Sequence, residues 1–213
     1  MPAPKLTLYY SPGACSLAPH LVLEELALPY VTVRVPIAEG AHLRAEYLAI
    51  NPRARLPALA VGDDVLTEAV AILRYLARQS TEPCLWPSTS FEEARMLSLM
   101  IWLTSTLHIT FAQIWRAGRY SDEKEHHAGI QQKGRGEVLK QLGEVEQFLS
   151  GGGYAIADRL TVADFYLLVF YRWGWRVKLD MSPFVRWSAH TDRIAERPAV
   201  KRVIAREGIE LRA

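Results

Sequence analysis

The first part of the chain switches between two hydrophobic periods. Leu6-Thr7-Leu8-Tyr9-Tyr10 alternates with period two and predicts a strand. Ser11-Pro12-Gly13 is a turn. From Ser16 to Ala27, Leu17, Leu21 and Leu26 share one helical face, with Pro19 tolerated in the first turn. Tyr30 to Val35 is β-branched and alternating, hence a second strand. The polar stretch Glu39 to Tyr47 suits a short helix before Asn51-Pro52. Ala58 to Val61, Gly62-Asp63 and Asp64 to Thr67 read as a hairpin. Glu68 to Ala77 carries Val70, Ile72, Leu73 and Leu76 at helical spacing. The order is β-α-β-α-β-β-α. Its first β-α-β predicts parallel strands, and its closing hairpin adds an antiparallel pair.

Residues 80–90 hold two prolines and no period, so the domain boundary falls there. The division is 1–80, an α/β domain; 81–90, a linker; and 91–213, an all-helical domain. Ser90-Phe91-Glu92-Glu93 has capping-box spacing. It opens a long helix with Leu97, Met100, Ile101, Thr104, His108, Phe111 and Trp115 on one stripe. A second helix runs from about Asp122 to Leu149 and stops at Gly151-Gly152-Gly153. A third follows Thr161-Val162-Ala163-Asp164, where Asp164 returns to cap the start. A fourth starts near Pro183, and a fifth ends at Gly208.

Composition narrows the function classes. Of 213 residues, 50% are hydrophobic and 23% charged, enough for a large core. The net charge is +2 with both signs interspersed, so there is no nucleic-acid or membrane footprint. Met96 to Trp115 lacks a formal charge over a bilayer-spanning length. Its Ser98, Thr104, Ser105, Thr106, His108, Thr110 and Gln113 favour a buried core helix instead. Cys15 and Cys84 do not form a secreted disulfide framework, and the residues after Met1 lack a signal peptide's apolar run. The expected compartment is the reducing cytoplasm.

The chemistry centres on Cys15, placed after a strand and turn at the start of a helix. Unpaired N–H groups and the positive dipole end there favour an anion and predict a lowered thiol pKa. A drop from about 8.5 to about 6.5 would raise the thiolate fraction at pH 7 from roughly 3% to roughly 75%. The alternative is a small buried hydrophobe, a common fate of free cysteine. Ala18 stands three residues on, which excludes a dithiol mechanism. His108 lies on the stripe facing the first domain, where it would hold a thiolate or orient water, or simply be a core histidine. Tyr9 and Tyr10 end the first strand, one on each face, and a hydroxyl there would reach the helix start. Pro57 opens a strand, and the backbone beside it is available to an added peptide strand. At Thr67-Glu68-Ala69 backbone N–H groups suit a ligand carboxylate and Glu68 a ligand ammonium. His20, His42 and His190 show no partner pattern, His126-His127 lack metal spacing, and no metal site is expected.

Together these segments resemble the glutathione transferases, the bacterial beta class most closely. The likeness rests on Tyr10 to Ala18, Asn51 to Leu59, Thr67 to Ile72, Leu107-His108, Leu160 to Asp164 and Glu196 to Val200, in family order. The resemblance implies a thioredoxin-like domain, then a helical domain, and a homodimer. It implies a cis Pro57, with Leu56 pairing to glutathione's cysteinyl unit and Glu68 and Ala69 holding the γ-glutamyl end. It puts Cys15 against the glutathione sulfur, with His108 and Tyr10 lining the thiol. Ser105 and Thr106 become candidates to replace a polar cross-subunit contact where Ile101 stands. Ala69 replaces a common serine, and the nearest group to a missing glycyl-binding lysine is His42. Thr161 and Asp164 match a structural capping motif. The implied activity is conjugation of glutathione, a co-substrate, to small hydrophobic electrophiles. Leu99, Trp102, Phe111, Trp115, Phe165 and Trp173 are the candidate wall of the electrophile site. Thiol–disulfide exchange through Cys15 and non-catalytic ligand binding are the rival readings.

Overall fold

The computed structural model describes residues 5–79, 84–151, 153–156 and 158–212. Residues 81–83 of the expected linker, Ser80 before it and Gly152 of the expected helix stop lie outside these, as do the first four residues. The strands are β1 (Leu6–Tyr10), β2 (Tyr30–Arg34), β3 (Ala58–Val61) and β4 (Asp64–Thr67), in the order β2-β1-β3-β4. β1 runs parallel to β2, with Leu6 opposite Tyr30, and antiparallel to β3, with Leu8 opposite Leu59. β3 and β4 form the expected hairpin, turned at Gly62, whose φ of 61° suits glycine. Leu6, Leu8 and Tyr10 are buried and Thr7 and Tyr9 half-buried, the period-two division of a sheet.

Helices α1 (Leu17–Glu25) and α3 (Ala69–Ala77) flank the sheet, with the short α2 (Ala45–Leu48) between β2 and β3. The helix expected over Glu39 to Tyr47 is instead two 3-10 turns, Ile37–Glu39 and Ala41–Leu43, followed by α2. Gly40, at φ 68°, turns the chain out of helical geometry between them.

The second part has no strand among its described residues; its α-helices are α4 (Ser90–Trp102), α5 (His108–Trp115), α6 (Lys124–Phe148), α7 (Val162–Arg176), α8 (Val185–Ala195) and α9 (Pro198–Glu207). The single long helix expected from Ser90 to Trp115 is divided by a π turn at Leu103–Leu107. Its cap is also one residue earlier than expected: the Thr89 hydroxyl, not Ser90, accepts the Glu92 N–H at 3.2 Å. By length and composition this segment is able to cross a membrane. Here it packs on α6 and α7, with Met96, Met100, Leu103, Leu107 and Phe111 fully buried.

α7 is apolar on nearly every face, and Val162 to Gly174 are all buried, as suits a helix at a domain's centre. Its start is fixed by Asp164, whose carboxylate accepts the Thr161 N–H (2.7 Å), the Thr161 hydroxyl (2.9 Å) and the Ala155 N–H (2.7 Å). His190 Nε2 adds a fourth contact at 2.8 Å, a partner that sequence spacing did not suggest. The two parts meet where α1 packs on α7 and α9, and α3 on α4 and α7. Arg197 forks onto Glu25, and Arg202 and Arg206 reach Glu24 at 2.6 and 3.1 Å.

Candidate functional site

Cys15 lies in the turn between β1 and α1, just before Ser16 at the helix cap. The turn is closed by its own backbone: Ala14 N–H donates to Ser11 O (3.0 Å) and Leu17 N–H to Ala14 O (2.9 Å). The Ser16 hydroxyl accepts the Ser11 N–H and donates to Ser11 O, each at 3.1 Å. Gly13, at φ 64°, presents both backbone groups to the helical domain. Its N–H donates to Glu207 Oε2 at 2.7 Å. Its carbonyl accepts from Trp173 Nε1 (2.9 Å) and Arg172 Nη1 (3.3 Å). Glu207 Oε1 in turn meets His20 Nδ1 at 2.6 Å, with both side chains fully buried.

Sequence reasoning missed this clamp. His20 showed no partner because Glu207 lies 187 residues away. Its only signal was an acidic residue in the last turn of α9, beside a C-terminal dipole that disfavours it.

The Cys15 thiol donates to Leu56 O at 3.3 Å. Leu56-Pro57 is cis, as the resemblance implied. The segment before it is pinned at Arg55 O, which accepts from the Tyr47 hydroxyl and from Asn51 Nδ2 (2.8 Å). Leu56 therefore keeps its carbonyl turned to the thiol. Across the gap, Glu68 precedes α3 with φ 68° and ψ 119°, a strained conformation for a residue with a side chain. Glu68 is exposed and Ala69 buried beside it at the head of the helix.

The expected lowering of the Cys15 pKa is overturned. Burial pushes the thiol up to about 11. The N–H groups of Cys15 and Ser16 and the charge of Arg116 pull it down, but desolvation is larger. With only 9% of the residue exposed, a thiolate loses more hydration than the helix start returns.

His108 is half-buried, with its ring 4.7 Å from that of Trp173 and 6.2 Å from that of Phe170. Burial, then Arg116, Arg119 and Arg55, depress its pKa to about 4, so it is neutral at pH 7. It follows directly on the π turn, an irregularity common at functional sites. Tyr10 lies on the buried face of β1 with its ring 5.3 Å from His20. Burial raises the pKa of Tyr166 and of Tyr47, Cys15 adding to the first and Tyr9 then Cys15 to the second; neither was singled out from sequence. The Tyr166 hydroxyl pairs with Thr104 at 3.0 Å, within the π turn.

Ser105 is exposed, and its hydroxyl donates to Ile101 O at 2.9 Å. Thr106 is half-buried, and its carbonyl accepts from Thr110. The expected apolar wall is redistributed. Phe111 and Phe165 are fully buried core, and Leu99 and Trp102 line a different groove of about 340 Å³ with Glu144, Val145 and Phe148. Trp115 alone of the set is well exposed, at 36%, stacked on Phe111 (5.4 Å) and edge-on to Trp173 (4.8 Å). Both cysteines are free, and Cys84 is exposed. Among the described residues, Glu123, Glu125 and His126 bring ligand atoms within 4.8 Å of one another, all exposed at the start of α6.

Known proteins share this fold. A family model described as "Glutathione S-transferase, N-terminal domain" matches residues 4–78, and "Glutathione S-transferase, C-terminal domain" matches 106–198. The Escherichia coli O157:H7 protein "Glutathione S-transferase GstA" is 31% identical over 96% of this chain and 100% of its own. A glutathione transferase homologue from Sulfitobacter, solved with bound glutathione, superposes with TM-score 0.91 at 30% identity, covering 97% of this chain and 99% of that one. The bacterial beta class glutathione S-transferase of Sphingomonas chungbukensis gives 0.84 at 31% identity, over 96% and 100%.

Proposed function

Because this chain belongs to the glutathione transferase family, we propose that it conjugates glutathione to small hydrophobic electrophiles at the Cys15 turn. The observation that carries the proposal is the Cys15 thiol held 3.3 Å from the Leu56 carbonyl at the cis-proline segment. Glutathione's cysteinyl unit takes up the Leu56 backbone as an added strand, displacing the thiol from that carbonyl. Its γ-glutamyl ammonium meets Glu68, and its carboxylate meets the N–H groups at the head of α3.

A Cys15 thiol near pKa 11 is a donor and not a nucleophile at neutral pH. Freed from Leu56, it donates to the glutathione sulfur and lowers the cost of ionising it, with Arg116 adding a favourable charge. His108, neutral and weakly basic, offers a polar ring nitrogen and stores no proton, so the glutathione proton leaves to water. The glutathione sulfur then attacks the electrophilic carbon, forming the C–S bond as the leaving group departs with its electron pair. In this reading residues 1–80 hold glutathione, 81–90 link, and 91–213 carry the electrophile side. The two free cysteines fit a reducing cytoplasm. The exposed Ser105 and the adjacent Thr106 serve across a homodimer.

The test is calorimetric titration of the reduced protein with glutathione at neutral pH. Micromolar to low-millimolar binding, weakened by Glu68→Ala, is expected; no binding at millimolar ligand would leave a family member used for non-catalytic binding. Cys15→Ala then separates the chemistries. Conjugation to 1-chloro-2,4-dinitrobenzene should fall but persist, whereas thiol–disulfide exchange would vanish.

A further inference from the structure

The mouth of the thiol site is cationic. Arg55 immediately precedes Leu56, whose carbonyl holds the Cys15 thiol. Arg116 and Arg119 bracket the turn that follows α5, with Arg119 N–H donating to Arg116 O at 2.8 Å. After burial, the charges of all three guanidinium groups act on both His42 and His108. Burial and then the charge of Arg55 lower the Arg116 pKa, and burial and then Arg116 and Arg55 lower that of Arg119. Among the described residues no carboxylate forms an ion pair with any of the three, as the arginine pairs are confined to Arg74, Arg197, Arg202, Arg206 and Arg212. Like charges gathered without an acidic partner cost free energy unless a ligand supplies the counter-charge.

Glutathione does not account for the whole cluster. With its γ-glutamyl end at Glu68 and Ala69, it has one carboxylate left for three guanidinium groups. The remaining charge adjoins an apolar surface. Trp115 directly precedes Arg116, is 36% exposed, and is backed by Phe111 in a near-parallel stack at 20°. Trp115 lies 4.8 Å from Trp173, whose ring is 4.7 Å from His108 and whose Nε1 donates to Gly13 O, so this exposed face adjoins the thiol turn.

We propose that Arg116 and Arg119, assisted by Arg55, bind the carboxylate of an acidic aromatic electrophile whose ring lies against Trp115. This inference rests on the transferase reading for its chemistry, but the binding subsite stands apart from turnover. With 4-chloro-3,5-dinitrobenzoate the step balances. The glutathione sulfur bonds to the ring carbon bearing chlorine, the C–Cl bond breaks, and chloride leaves with the electron pair.

The experiment uses two unreactive probes, 3,5-dinitrobenzoate and its methyl ester, titrated calorimetrically into the glutathione-loaded protein and the free protein. The acid should bind about tenfold tighter than the ester, the worth of one charge-assisted pair. Raising the ionic strength from about 0.02 to about 0.3 M should shrink that ratio. Arg116→Gln with Arg119→Gln should bring it close to one. Equal binding of acid and ester to the unaltered protein would overturn the proposal, as would a ratio that survives the double substitution. If the double variant instead loses glutathione affinity at an unchanged acid-to-ester ratio, the cluster belongs to the tripeptide and the proposal is overturned. Failure of the unaltered protein to bind glutathione would sink the transferase reading alone, because the probe ratio in the free protein is read separately.

Discussion

At Cys15 two effects oppose each other, and their sizes decide the chemistry. The helix start and Arg116 favour thiolate, but burial wins and the pKa rises to about 11. The thiolate fraction is then roughly 0.1% at pH 8. In the free protein, iodoacetamide at pH 7.5 should label the exposed Cys84 quickly and Cys15 slowly, as read by peptide mass spectrometry. Labelling of Cys15 should climb steeply with pH, and Arg116→Gln should slow it further. Equal rates for the two cysteines at pH 7.5 would refute the burial argument. His108 has the opposite sign of consequence. Its folded pKa of about 4 is below the ordinary value near 6.5. Above pH 6.5 neither state binds this proton, and the contribution to stability is complete. As pH falls from 6.5 towards 4 the unfolded chain takes up a proton that the folded chain refuses, so stability drops. Urea unfolding at pH 7.5 and 5 should show a smaller loss in His108→Gln than in the unaltered protein.

At the scale of elements, the Asp164 carboxylate is the most heavily committed group in the helical domain. It accepts from Thr161, Ala155 and His190 while completely buried. Asp164→Ala removes the charge and strands these donors, at a cost of about 3 kcal/mol. Thermal denaturation should show that loss, and Asp164→Asn should recover only part of it because one oxygen becomes a donor. This element was readable from sequence because its cap and its apolar run are local. The same holds for the strands and for the hairpin at Gly62-Asp63, whose pattern and turn residues fall within a few positions of one another. What sequence reasoning missed depends on contacts made across the fold. The π turn at Leu103–Leu107 leaves no mark in the hydrophobic stripe, because one extra residue shifts phase without changing composition. The thiol pKa went wrong for a related reason. A strand–turn–helix spacing locates Cys15 at a helix start, but its burial depends on residues distant in the chain, such as Leu56, 41 positions on. The electrophile wall was overread because aromatic spacing at helical period does not distinguish core from cleft: Phe111 and Phe165 are fully buried.

At the scale of the whole molecule, the thiol turn is held from the opposite end of the chain. Glu207, in the last turn of α9, takes the Gly13 N–H and the His20 ring, while Arg172 and Trp173 of α7 take the Gly13 carbonyl. Arg172 is itself fixed by donating from Nε to Glu210 O at 2.8 Å. A Cβ at Gly13 would lie 2.4 Å from Arg172 Nη1 and displace that guanidinium, and the φ of 64° would strain any other residue there. The turn thus has both Gly13 backbone groups anchored to one domain while its cysteine thiol donates to Leu56 O in the other. Glu207→Gln keeps an acceptor for Gly13 but turns an amide towards His20. It should cost about 2 kcal/mol, because one buried partner is lost in a water-free setting. Arg172→Met removes a donor to the Gly13 carbonyl and should cost a similar amount. If the two act through one clamp, the double variant should lose less stability than the sum of the singles. Once the turn has been released by either change, the second has less ordered structure to disturb. Glutathione affinity should follow the same non-additive pattern, since the cysteine rides on that turn. Additive losses in unfolding free energy would mean that Glu207 and Arg172 stabilise the domain contact independently, and that the turn is held by its own backbone alone.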